Sequence, residues 1–317
     1  MPLSSRDADL KPEDLASYEK AAGKTAAWVD ISQHWGISRK FPAATATWIH
    51  AAGSIPFIRL MLWSTKKENL QETVFTLDAI LKGAFDDDFK AWGAAAREFG
   101  SPLIVEFGPE MNGRWYPWNA YWYGGEETTG YGDPALPDGP EKFRDAYRHI
   151  INKMHTAGAR NILWVFHVNY NDWPNEAWNR FENYYPGDGY IDWLAVSIYG
   201  AQQPAGTQWP EFSELMEPAY RRLEKLSRTK PVIVAEFGVS ASSTGGSQAL
   251  WAHHALEALI AGRWPRVIGF AWWNAAWQND ANPLNDTSMR VQDNPALSAV
   301  FKKYIGGRQQ VLGRMKQ

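Results

Sequence analysis

Short apolar runs rich in β-branched residues recur along the chain, separated by stretches whose apolar positions fall at helical spacing. The runs are residues 25–32 (TAAWVDIS), 56–63 (PFIRLMLW), 102–107 (PLIVEF), 161–168 (NILWVFHV), 191–199 (IDWLAVSIY), 231–237 (PVIVAEF) and 266–274 (RVIGFAWWN). Near-continuous apolarity over such lengths is the pattern of strands buried on both faces, as in a parallel sheet. A weaker run, 73–77 (TVFTL), counted as third, brings the expected strands to eight. Helical patterns occupy 87–99, 141–155, 211–226, 247–260 and 294–305. Alternation of strands and helices of this kind predicts an α/β fold with helices outside a parallel sheet. No glycine-rich phosphate loop follows the first strand, which favours a (β/α)8 (TIM) barrel over an open doubly wound sheet. The chain is read as one domain, 1–317, with the barrel over about 25–305 and a frayed basic tail from Gly306.

The longest interruption, residues 108–140, is rich in Gly, Pro, Asn and aromatics. A long loop in a compact domain is usually functional or disordered, and the aromatic content speaks against disorder. Of the 317 residues 18 are Trp and 13 are Tyr. A core needs few Trp, since each is bulky and its N–H wants a partner. Trp115, Trp118, Trp122, Trp173, Trp178, Trp209 and Trp277 fall in Gly-, Pro- and Asn-rich segments, where surface loops carry function. Flat aromatic faces stack on the C–H faces of pyranose rings, so these residues point to a polysaccharide cleft, with packing under long loops as the other reading.

Charge narrows the partners. The 32 basic and 35 acidic residues leave a net charge of −3 and no basic stripe, so neither nucleic acid nor an anionic membrane is expected as a partner. The run Asp86–Asp88 reads as a charged helix start rather than a metal site. The absence of cysteine excludes disulfides, thiol nucleophiles and Cys-ligated metal. Residues 1–6 show no apolar leader, and no segment is long enough for a membrane helix. The expectation is a secreted or periplasmic protein with its leader removed, a cytosolic one being the alternative, and a monomer, as is usual for cleft enzymes.

Barrel enzymes carry their chemistry at the C-terminal ends of the strands. Glu110 lies three residues beyond the fourth expected strand and Glu236 ends the seventh. Two carboxyl groups flanking a glycosidic bond can donate a proton to the leaving oxygen and attack or stabilise the anomeric centre. A charge at the end of a run as apolar as VIVA must be paired, hydrogen-bonded or functional. His167, at the end of the fifth strand, is a candidate contact to substrate or carboxylate. His34 is divided between cleft lining and loop packing. Asn169, Asp172 and Asn274 are candidate partners for sugar hydroxyls. The adjacent His253 and His254 face different ways and lack an HExxH pattern, so neither metal nor cofactor is expected.

The stretch Glu110-Met111-Asn112-Gly113-Arg114-Trp115-Tyr116-Pro117-Trp118 resembles the acid/base signature of glycoside hydrolase family 26, which contains β-mannanases, mixed-linkage β-glucanases and β-1,3-xylanases. Residues 230–238 (KPVIVAEFG) resemble its nucleophile segment, and Tyr185-Pro186-Gly187-Asp188 with Ile191-Asp192-Trp193 resembles the entry to its sixth strand. The resemblance implies an endo-acting, retaining hydrolase of a β-linked polysaccharide, with Glu110 as acid/base and Glu236 as nucleophile. It implies Tyr199 beside the nucleophile, Trp115 at the point of cleavage, and Trp272 or Trp273 as the platform under the −1 sugar. Asn112 and Trp118 of the signature, with Glu106, complete the expected substrate contacts. Two positions depart: Pro109 stands where the family commonly has His, and Glu106 where it commonly has Arg. Glu106 would raise a neighbouring carboxyl by like-charge repulsion, or pair with Arg59. These departures motivate a second reading, a non-catalytic carbohydrate-binding barrel; a barrel enzyme of other chemistry, such as a lyase using a His or Tyr base, is a third.

Overall fold

Seven of the eight expected runs become parallel strands. A computed structural model describes residues 10–65, 67–202 and 208–313. The strands are β1 (Trp28–His34), β2 (Ile55–Met61), β3 (Leu103–Phe107), β4 (Ile162–Asn169), β5 (Trp193–Tyr199), β6 (Val232–Gly238) and β7 (Val267–Trp272). They pair side by side in chain order. Eight α-helices are described: α1 (Pro12–Ala22), α2 (Ala43–Ala51), α3 (Leu77–Leu81), α4 (Asp86–Phe99), α5 (Asp138–Thr156), α6 (Phe212–Leu226), α7 (Gln248–Ile260) and α8 (Pro295–Phe301). They lie outside the sheet and bury its outward-facing side chains. The residues expected to show the lack of a leader, 1–6, lie outside the described residues, as do the last four of the tail.

The eighth strand is a correction. Residues 73–77 make no sheet pairing, because the Glu72 carboxylate takes the N–H groups of Ser64, Thr73, Val74 and Phe75 at 2.7–3.1 Å. The Thr76 hydroxyl then accepts from Ala79 N–H at 3.0 Å and starts α3. A side chain that satisfies four backbone donors removes the need for a ladder. Glu110 therefore follows the third strand, and Glu236 lies on the sixth. The tail is also corrected: Lys24 Nζ donates to Arg308 O at 2.6 Å, and Thr25 Oγ1 to Gly313 O at 3.2 Å, which docks it against the start of β1.

Curling of the sheet shows in its inner side chains. One inward residue from each strand meets at the centre: Trp28, Phe57, Ile104, Val165, Ala195, Ile233 and Ala271, joined by Ala235. Trp28 reaches across from β1 to Trp193 on β5, ring centroids 6.4 Å apart. Side chains alternate across a strand, so the next inward layer lies two residues on: Asp30, Arg59, Glu106, His167, Ser197 and Tyr199 beyond it, and Trp273 just past β7. The apolar layer is the floor on which this polar layer rests.

Under β3 the helices α4 and α5 approach closely. A Cβ added to Gly93 would lie 2.9 Å from both Cα and O of Met154. Alanine at position 93 should gain at most about 1 kcal/mol of helix propensity, against about 1–3 kcal/mol of overpacking. Gly93→Ala is expected to lower the denaturant midpoint at unchanged slope. A midpoint that rises would mean that this helix pair yields freely.

Candidate active site

Strict alternation would turn Glu236 outward with Val232 and Val234, which pack in the outer core. One extra residue on β6 reverses this. Val196 is opposite Val234, yet Ser197 is opposite Glu236, and the pairing with β7 shifts at the same place. A bulge of this kind re-aims a side chain. It brings Glu236 into the polar layer while returning Phe237 to the outer core.

Glu110 reaches the same space from the loop after β3. Its φ of +51° follows Gly108 at +58°. A left-handed conformation costs a non-glycine residue about 1–2 kcal/mol, and it persists only where the surroundings hold it. Glu110 N–H donates to His167 O at 2.9 Å, and Gly113 N–H to Glu110 O at 2.8 Å. Asn112 locks the loop to the one after β4. Its side-chain amide lies 2.9–3.0 Å from Asn169 O, Asn171 O and Asp172 Oδ1, and its Oδ1 accepts from Asn169 N–H at 2.9 Å. Fully buried Asn112 is thus a loop clasp and not a substrate contact.

The two carboxyl groups meet in one cleft of about 830 Å³ lined also by Trp115, Tyr199 and Trp273. Their environments differ. Burial, then the charge of Glu236, pushes the Glu110 carboxyl up to about 7, against the opposing pull of His167, Ser197 and Arg59. Trp115 Nε1 donates to Glu110 Oε2 at 3.0 Å. Glu236 is held on both oxygens: Arg59 Nη2 is 2.6 Å from Oε1, and Tyr199 OH donates to Oε2 at 2.7 Å. Oε1 is itself buried against Arg59. Arg59 also stacks over Trp273, 5.5 Å from the ring centroid. The geometry sets a carboxyl group raised by burial beside a second one fixed by Arg59 and Tyr199.

Other expected contacts fall elsewhere. Glu106 is buried and takes Arg59 Nε at 2.8 Å, the pairing expected from the neighbouring strand, and His167 Nδ1 at 2.9 Å. Burial would raise its carboxyl, but these two cations hold it below the usual range. Neither Glu106 nor His167 reaches the cleft surface. Trp272 is fully buried, donates to Met289 O at 2.5 Å and packs on Phe237 and Trp251, so Trp273 alone of that pair faces the cleft. Trp118 is buried, donates to Pro109 O at 2.9 Å and stacks on Tyr116 with centroids 4.5 Å apart; it supports the loop from beneath.

Asp172 pairs with Arg222 at 2.8 Å, and buried Asn274 accepts from Val291 N–H at 2.7 Å, so both are structural. Asn169 lies on the cleft wall. His34 stacks on Trp63 and accepts from its indole, which is the loop-packing alternative. Asp86 starts α4 and pairs with His149 and Lys153. His254 pairs with Glu211 at 3.0 Å. Among the described residues no group of three or more His, Asp or Glu is arranged to hold a metal, and no helix is long and apolar enough to cross a membrane. Ser197 carried no sequence signal. Arg59 did: a lone cation inside PFIRLMLW demands a buried anion.

Residues 7–244 match the sequence model of "Glycosyl hydrolase family 26". The chain is 26% identical over 294 residues to "Endoglucanase H" of Acetivibrio thermocellus, covering 92% of this chain and 29% of that protein. It is 26% identical over 182 residues to "Mannan endo-1,4-beta-mannosidase A and B" of Caldalkalibacillus mannanilyticus, covering 57% and 30%. The chain thus spans less than a third of either protein's length. Similar solved structures include the YdhT protein of Bacillus subtilis, with TM-score 0.63 and 17% identity over 95% of this chain and 83% of that one. Another is the Bacillus subtilis mannanase BCman, with TM-score 0.60 and 18% identity over 93% and 82%. At these identities the likeness gives the fold, the (β/α)8 barrel expected from the sequence, with seven strands in its described sheet. The match to well over half of the 317 residues makes the chain a member of glycosyl hydrolase family 26.

Proposed function

We propose that the chain is an endo-acting, retaining glycoside hydrolase of a neutral β-linked polysaccharide, a β-mannan, β-glucan or bacterial exopolysaccharide, with Glu110 as acid/base and Glu236 as nucleophile. The observation that carries this reading is the contrast between the two carboxyl groups, one pushed up to about 7 and the other clamped by Arg59 and Tyr199. Environments that separate two neighbouring carboxyls divide acid from nucleophile.

In the first step the Glu236 carboxylate attacks the anomeric carbon while Glu110 protonates the glycosidic oxygen, whose bond to that carbon breaks. Esterification removes the charge of Glu236, the main charge that raises Glu110, so Glu110 then accepts a proton from the incoming water. That water attacks the same carbon, and Glu236 leaves as carboxylate. Trp115, Tyr116, Trp273 and Trp277 give the cleft aromatic faces for sugar rings. Among the described residues its ionisable side chains are Glu68, Glu110 and Glu236 with the tyrosines, and the adjacent Arg59 guanidinium is already paired. A uronic-acid polymer would meet repulsion there, which favours a neutral chain. The names of the two relatives, an endoglucanase and a mannan endo-mannosidase, agree with an internal cut. A polymer too large to enter a cell is met by a secreted enzyme, and a monomer is the usual form of such cleft enzymes.

The non-catalytic reading drew on Glu106 and Pro109. Glu106 has its cations on both sides, which removes much of that motive.

A mechanism-based 2-deoxy-2-fluoro glycoside should add one sugar mass to the peptide bearing Glu236, and NMR of early product should show the β-anomer. Early α-anomer would sink the retaining assignment. Mannan, mixed-linkage β-glucan, β-1,3-xylan and neutral exopolysaccharides are the substrates to compare.

Because Glu110 must carry its proton to act as acid, kcat/KM should be lost as pH rises through about 7. Glu110→Ala should remove that alkaline limb and cost about 10²–10⁴-fold in rate on substrates with poor leaving groups. A profile that stays level to pH 9 would contradict the assignment of Glu110.

A further inference from the structure

Beside the cleft stands an aromatic side chain that the proposed displacement does not use. Trp173, on the loop after β4, is 60% exposed, whereas every other tryptophan of the chain is buried or half-buried. Among the described residues its indole meets no other ring or cation, and its N–H meets no acceptor. A single exposed apolar side chain is ordinary on a protein surface. What sets Trp173 apart is its place and the stiffness of its mounting.

The place follows from backbone pairing. Trp173 N–H donates to Asn112 O at 2.8 Å, and Arg114 N–H to Trp173 O at 2.9 Å, so Trp173 is paired in parallel with Gly113. Partners across a ladder point their side chains to the same face. At Gly113 that face is filled by the ring of Trp115, since an added Cβ would fall 2.1 Å from Trp115 Cζ2. Trp173 therefore leaves the backbone on the side where the Trp115 ring lies, one strand spacing away. Alternation along its own loop agrees. Asp172 turns inward to Arg222 at 2.8 Å, so Asn171 and Trp173 on either side of it face out, and Asn171 lines the cleft.

The mounting is rigid. The Asn112 amide clasps the same two loops together, and Asn179 Nδ2 donates to Pro174 O at 2.8 Å just past the indole. Asn169 Nδ2 donates to Asn171 Oδ1 at 2.6 Å, which holds that amide with its own N–H groups unpaired among the described residues. A flat apolar face beside an amide donor matches a pyranose ring, whose C–H groups stack and whose hydroxyls accept hydrogen bonds. A site ordered before its ligand arrives loses less entropy on binding.

The cleft also has a direction. Trp273 lies against Arg59 and meets Tyr199 edge-on, and both of these hold Glu236. Trp115 holds Glu110. The sugar attacked by Glu236 lies toward Trp273, and the departing one, whose oxygen takes the proton of Glu110, lies toward Trp115. Trp173 continues that second side.

We propose that Trp173, with the amide of Asn171, forms a sugar-binding platform on the leaving-group side of the cleft, which takes a neutral pyranose unit of the same polysaccharide beyond the point of cleavage. The proposal rests on the reading of Glu110 as acid and Glu236 as nucleophile, which sets the direction of the bound chain.

The test compares Trp173→Ala, Trp173→Phe and Asn171→Ala with the unaltered protein. The substrates are hexasaccharides prepared from β-mannan, mixed-linkage β-glucan and β-1,3-xylan, and a dinitrophenyl glycoside of a single sugar, which is too short to reach the platform. The ratio of kcat/KM for the cleaved hexasaccharide to that for the dinitrophenyl glycoside should fall about tenfold in Trp173→Ala, for the loss of one stacked face. It should fall about fivefold in Asn171→Ala, for the loss of one hydrogen bond. Trp173→Phe keeps a flat ring and should retain most of the ratio. With a label on the reducing end, the bond cut in Trp173→Ala should move toward that end, since a chain no longer gripped beyond the cut settles with fewer units on that side. An unchanged ratio in Trp173→Ala, an equal fall for both kinds of substrate, or a cut that moves the other way would overturn the platform. So would an unaltered protein that is labelled at Glu236 by the 2-deoxy-2-fluoro glycoside yet cleaves none of the three hexasaccharides. The underlying reading of the two carboxyl groups fails separately, if that reagent leaves Glu236 unlabelled.

Discussion

The site depends on one constraint: the charges that enter the barrel are taken out of water and must neutralise one another there. Arg59 stands between Glu106 at 2.8 Å and Glu236 at 2.6 Å, with both carboxylates nearly inaccessible. A buried ion stripped of its partner costs several kcal/mol, far more than one surface pair contributes. The arginine therefore cannot be withdrawn without leaving two anions exposed to each other and to Glu110. Such a cluster is poor evidence for stability, since an apolar replacement could be as stable. It is better understood as a means of holding the Glu236 carboxyl group in place beside Glu110.

The fold makes that cluster by repetition and then by exception. Repetition puts an apolar layer across the barrel and an inward polar layer two residues further on each strand. The exceptions supply the two carboxyl groups of the cleft. A bulge turns Glu236 from the outer core to the inner wall, and a left-handed residue on a clasped loop hangs Glu110 over it. Both departures from regular backbone sit at the chemistry, where local strain is usually stored. The Asn112 clasp and the buried Trp118 hold the loop on which the second exception depends.

Much of this was legible in the sequence, and the misses share a cause. A charge ending an apolar run marked Glu236, a place just past a strand end marked Glu110, and the departure from the family pattern marked Glu106. The run 73–77 had the composition of a strand, yet pattern counting cannot see that Glu72 would satisfy its backbone donors. The tryptophan excess was read as cleft, but Trp35, Trp92, Trp164, Trp251 and Trp272 are fully buried. This barrel uses indole rings as core and scaffold as well as lining. Alternation could have separated Trp272 from Trp273 only with the inward phase of β7 known, and that phase is set by Ala271 at the barrel centre. Ser197 is small, neutral and locally unremarked. Its place follows from register alone, which is a property of two strands and not of one.

The two departures from the family signature also become intelligible as one rearrangement. An Arg at position 106 and a His at 109 would place two cations on the segment that carries the acid. Here that segment carries Glu106 and Pro109, and the cations come from the flanking strands, Arg59 on one side and His167 on the other. Glu106 then serves as the joint between them. It neutralises part of each charge, favours the charged imidazole against its burial and leaves Arg59 an Nη2 for Glu236. The kinds of charge around the two carboxyls are preserved while their addresses in the chain change. What a barrel mouth requires of its residues is the field at the cleft, and several strands can supply the same field.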